Sequence, residues 1–113
     1  MKSKIIALSK NEEFKRLLKK KKISNKYVTI FFGKLNNKST KILNISFVTK
    51  KKLGNAVKRN KIKRRLKNIM RDAFKKISMN LNYSYLVIAK PTMLNSHFKD
   101  IKETLFQEFG KIK

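Results

Sequence analysis

The chain has no cysteine and no tryptophan, one proline, three glycines, one histidine and only six acidic residues. Without cysteine there can be neither a disulfide framework nor a thiolate metal site, and a reducing cytoplasm fits that composition. The acids are Glu12, Glu13, Asp72, Asp100, Glu103 and Glu108. They are too scattered to form the carboxylate cluster that two-metal phosphodiester chemistry needs. His97 stands near a helix start with no evident partner to orient it as a general base. Neither a phosphate-cradling Gly-rich loop nor a nucleophile elbow occurs. No apolar run approaches a membrane span, and Ile5-Ile6-Ala7-Leu8 is too short for a signal-peptide core. The sequence therefore offers no catalytic constellation and no membrane partner.

Positive charge is what the chain has in excess: 31 Lys and Arg against 6 Asp and Glu, a formal +25 over 113 residues. Such an excess repels itself in the folded state and attracts polyanions. A hydrophobic share of 41% still allows one modest core in a single domain, 1–113, and argues against a disordered basic tail.

The stretch Gly54 to Phe74 organises the rest. At helical spacing Ile62, Leu66, Ile69, Met70, Ala73 and Phe74, continued by Ile77, form one apolar stripe. Opposite lie Asn60, Arg64, Lys67, Asn68, Arg71 and Lys75, with Lys61, Lys63 and Arg65 on the flanks. Four of the five arginines fall here, and Asp72 is the one acid. Arginine's fork matches phosphate oxygens bidentately, whereas lysine acts as a point charge. A purely structural helix would carry uncompensated repulsion between its i,i+4 neighbours. A polyanionic partner accounts for the pattern better.

Taken in order, residues 1–8 are expected to be a flexible, extended basic arm. Ser9 or Asn11 can cap a first helix with Phe14, Leu17 and Leu18 on its apolar face and Lys19 to Lys22 as a solvated end. Ile23 to Lys26 should turn the chain into a strand over Tyr27 to Phe32. Asn36 to Ser39 is a loop, and Ile42 to Thr49 is a second strand expected to pair antiparallel with the first. Asn55 caps the long helix, which should run to about Met79. Tyr83 to Ala89 has the apolar run of a central strand and ends at Pro91. Ser96 can cap a last helix carrying Phe98, Ile101, Leu105 and Phe109, with Gly110 as its stop. The fold class is α+β, a single sheet with helices in the order α-β-β-α-β-α.

Lys51-Lys52-Leu53-Gly54-Asn55-Ala56-Val57-Lys58-Arg59-Asn60-Lys61-Ile62-Lys63-Arg64 resembles the signature of the bacterial ribonuclease P protein subunit. Arg59-Asn60-Lys61 stands where that family carries Arg-Asn-Arg, so Lys61 keeps the charge and gives up bidentate geometry. The resemblance implies the family's rare left-handed βαβ crossover through the long helix, against a right-handed default. It also implies an RNA-binding subunit of a ribonucleoprotein whose RNA removes the 5′ leader of precursor tRNA with Mg²⁺ held mainly by that RNA. No cofactor is implied in the protein itself, and no obligate protein partner. Contacts to the catalytic RNA are expected from Lys51, Lys52, Lys58, Arg59, Asn60, Lys61, Lys63, Arg64 and Lys67. The leader is expected in a cleft between first helix and sheet, lined by Phe14, Leu18, Val28 and Ile30, with Leu18 where the family often has a second aromatic. The alternative is a small basic ribosomal protein, against which the ordered motif argues. A DNA-binding reading is weaker still, since no helix-turn-helix or zinc pattern occurs.

Overall fold

The computed structural model describes residues 4–6, 15–34, 42–77 and 81–112. Five strands, β1 (Lys4–Ile6), β2 (Lys21–Ser24), β3 (Val28–Gly33), β4 (Ile42–Val48) and β5 (Ser84–Ala89), form one mixed sheet in the order β1-β4-β5-β3-β2. Two long helices, α1 (Ala56–Lys76) and α2 (Phe98–Lys111), accompany it, with 3₁₀ turns at Lys51–Leu53 and Pro91–Leu94. A helical turn over residues 15–17 precedes β2.

β5 is central because its side chains are apolar toward both faces. Tyr85, Val87 and Ala89 join the main core, while Leu86 and Ile88 belong to a second cluster on the other face. It pairs antiparallel with β3 (Ile30↔Val87, Phe31↔Leu86) and parallel with β4 (Ile45↔Tyr85, Phe47↔Val87). The hairpin expected between the strands at 27–32 and 42–49 is therefore not formed, since β5 inserts between them. Part of the expected arm is also tied down, because Lys4–Ile6 pairs parallel with β4. The supposed turn at Ile23 begins instead as β2, an antiparallel edge to β3.

On one face α1 sends down Ile62, Leu66, Ile69, Met70 and Ala73, and α2 sends Ile101, Leu105 and Phe109. They meet Val28, Ile30, Phe32, Leu43, Ile45, Tyr85 and Val87 in the main core. Two ends differ from expectation. Ser96 does not cap α2; its hydroxyl donates to the Thr92 carbonyl at 2.7 Å, and His97 occupies the cap position without a side-chain bond. Gly110 does not stop the helix, which continues to Lys111. Helix α1 ends at Lys76, short of Met79, and the loop at 36–39 lies outside the described residues.

Candidate nucleic-acid interface

Helix α1 is aimed by the two residues before it. Gly54 adopts φ 129°, a left-handed value that disfavours any side chain. A Cβ there would also lie 2.9 Å from Cδ of Lys58, so the glycine gives that lysine's stem its bed. Asn55 caps the helix as expected, its side chain accepting the Lys58 amide at 3.0 Å. The first turn carries no acid, so the positive end of the helix dipole adds to exposed Lys51, Lys52 and Lys58. Gly54→Ala should destabilise the fold by about 1–3 kcal/mol and weaken RNA binding through a displaced Lys58. Thermal melts and a binding titration check both, and an unchanged melting temperature would refute the strain.

The outer side of α1 is dominated by basic side chains. Asn60, Lys63, Arg64 and Lys67 line one groove together with Val57, which is 74% exposed. On the other flank Lys58, Lys61 and Arg65 face Met93 and Leu94 of the second 3₁₀ turn, and Asn95 just after it, across a second groove. Lys51 and Lys52 sit just before the helix, exposed. Arg59 points toward the core side of the first turn, half-buried, with its Nε enclosed and unbonded. Arg65, on the flank of the helix by its spacing and not among the expected contacts, lines the second groove beside Lys58 and Lys61. Its partner wall, the 91–94 turn, had no sequence signal because it is brought there by the chain's return through β5.

Asp72 does not dilute this face. Its carboxylate accepts a 2.6 Å hydrogen bond from Lys102 of α2, which draws the acid to the α1–α2 seam. That bond holds the Asp72 carboxyl below its ordinary 3.8, against an opposing desolvation and helped by the charges of Lys102, Lys76 and Lys75. A lowered carboxylate stabilises the fold above its unfolded value and loses that contribution as pH falls through the lower folded value. Asp72→Asn should therefore melt below the parent at neutral pH, with the gap closing below pH 3.8. A gap constant with pH would show that the seam does not depend on this charge. Among the described residues no group of three or more His, Cys, Asp or Glu could hold a metal ion.

The opposite face of the sheet carries a smaller apolar patch. Leu17, fully buried, anchors the helical turn on Leu86, with Phe31, Val48 and Ile88 half-buried around it. This is the face a cleft between helix and sheet can use. Val28 and Ile30 cannot line it: both are 0% exposed in the main core beneath the long helices. Strand alternation gives the open side to their neighbours Thr29 and Phe31 instead. Leu18 is 48% exposed and next to the anchor, and Phe14 lies outside the described residues.

The family model described as Ribonuclease P matches residues 3–113. The ribonuclease P protein component of Mesomycoplasma hyopneumoniae is 34% identical over 110 residues, covering 96% of this chain and 90% of that protein. The corresponding protein of Carboxydothermus hydrogenoformans is 32% identical over 101 residues, covering 87% and 83%. Among solved structures, the ribonuclease P protein of Thermotoga maritima superposes with a TM-score of 0.79 at 23% identity, covering 95% of this chain and 97% of that one. The Staphylococcus aureus protein superposes at 0.78 with 25% identity, covering 94% and 95%. Agreement over that share of the chain requires the same hand of the β4-α1-β5 crossover, because the opposite hand would put α1 on the wrong face.

Proposed function

The chain belongs to the ribonuclease P protein family and is thus a component of a ribonuclease that partners the ribonuclease P RNA; from that premise we propose how its two faces divide the work. The α1 face binds the catalytic RNA, and the face carrying Phe31 receives the unpaired 5′ leader of precursor tRNA. The observation that carries this reading is the predominantly basic outer side of α1, whose one acid is drawn off to Lys102. Lysines and arginines there neutralise phosphates and release counterions, which fixes register without reading sequence. Mg²⁺ held mainly by the RNA supplies the Lewis acidity for phosphodiester hydrolysis. The protein contributes position: it holds the RNA against α1 and keeps the leader extended on the sheet. An unpaired leader presents bases that can stack on an aromatic such as Phe31, which a mature tRNA lacks.

Sequencing the RNA that co-purifies with the chain tests the assignment. One structured RNA species accompanied by precursor tRNAs is the expected result. Recovery of ribosomal RNA in its place would overturn it.

A further inference from the structure

At the end of the sheet away from the start of α1, the lysine run of the sequence acquires a setting. The turn after Leu17 is closed by the amides of Lys19 and Lys20, bonded to the Arg16 and Leu17 carbonyls at 3.2 and 3.0 Å. Lys21 then opens β2 opposite Phe32. In this geometry Lys19, Lys20 and Lys21 meet Lys34 around a recess that Phe32, Gly33 and Tyr83 also line. A Cβ on Gly33 would lie 2.7 Å from Cγ of Lys20, so that lysine's stem rests directly on the strand backbone. The Tyr83 ring is wedged between neighbours, tilted 5.5 Å from Phe32 and edge-on 6.5 Å from Tyr85. Among the described residues no acid lines the recess.

Four lysines brought to one recess, with no acid among the described residues that line it, repel one another, and solvation of a helix end does not require a shared recess. An anion relieves that repulsion. Gly33, which lines the recess, shares its side of β3 with Thr29 and Phe31, and Thr29 to Gly33 is four residues, about 13 Å of strand. We propose that this recess is a second single-stranded RNA site, taking the phosphates of the leader's distal nucleotides after the leader has crossed Phe31. The proposal rests on the leader reading above. The lysines neutralise phosphates, and Tyr83 gives a firm wall against which the backbone lies.

The test uses holoenzyme assembled with Lys20→Gln/Lys34→Gln, which keeps much of each stem and removes two charges from exposed positions. Affinities are measured for mature tRNA and for precursors with a short leader of about four nucleotides and a long one of about twelve, sizes chosen from the roughly 13 Å strand span. In the parent, the long leader should bind severalfold more tightly than the short one. The variant should lose that increment, keep the short-leader advantage over mature tRNA, and assemble with the catalytic RNA unchanged. Its salt slope on the long leader should fall by about 1.4, two single-strand contacts. Lys99→Gln/Lys111→Gln on α2 removes the same net charge and should leave the increment intact. The proposal is overturned if the parent binds long and short leaders alike, if the Lys20/Lys34 variant keeps the increment, if it weakens assembly, or if the α2 control loses as much. Equal binding of short-leader precursor and mature tRNA by the parent is a different failure, that of the leader reading itself.

Discussion

Replacing Lys63, Arg64 and Lys67 together with alanine should weaken binding to the catalytic RNA about a hundredfold at physiological salt and lower the salt slope by about 2.7, three duplex contacts. All three line the same groove beside Val57, and among the described residues none has an acid partner to lose. The effect on the free protein should have the opposite sign. Alanine is the better helix former, and a chain at +25 gains from shedding three like charges. Tighter folding with weaker binding is a combination that a structural role for these side chains cannot produce. Affinity within twofold of the parent would show that the RNA lies elsewhere.

That face was legible because a helix declares its sides through spacing alone. Ile62, Leu66, Ile69, Met70 and Ala73 are buried as their period requires, so everything opposite them had to be outside. Asn55 as cap followed from its chemistry, and the apolar run of β5 announced a central strand. What that run did not announce was where β5 would insert. Pairing of sequence neighbours is a default, and here burying both faces of β5 between β3 and β4 overrode it. β2 could not be seen at all. Lys-Lys-Ile-Ser has one apolar side chain, and it is a strand because β3 offers an unpaired edge. Ser96 fits its local rule and lost to another local bond, to the Thr92 carbonyl, whereas Gly110 lost to tertiary packing, which carries α2 past Phe109 toward the buried Ile112.

The other face was misread for a sharper reason. Side chains alternate along a strand, so an assignment shifted by one residue exchanges core for surface. The alternation Val28, Ile30, Phe32 against Thr29, Phe31 marks the buried side through the single polar Thr29, a weak signal beside the large apolar Phe31 on the same side. The pairing Phe31↔Leu86 settles it, because Leu86 packs on Leu17 and not on the long helices.

Two single substitutions one residue apart should therefore behave in opposite ways. Ile30→Ala removes a fully buried side chain from the main core and should cost about 2–5 kcal/mol of stability. In whatever fraction remains folded, the preference for precursor over mature tRNA should not change, because Ile30 faces the helices. Phe31→Leu keeps an apolar side chain against Leu86 and Ile88 and deletes the aromatic face, so the melting temperature should move little. Its precursor preference should fall by the value of one base stack, about 1–3 kcal/mol, or roughly 5- to 150-fold. Holoenzyme affinities for the two RNAs at one fixed salt and Mg²⁺ concentration, with a melt of each free variant, give both readings. A loss of preference in Ile30→Ala with none in Phe31→Leu would return the cleft to the residues first assigned by position. A fall in stability without any change in preference for Phe31→Leu would make that side chain part of an ordinary second core.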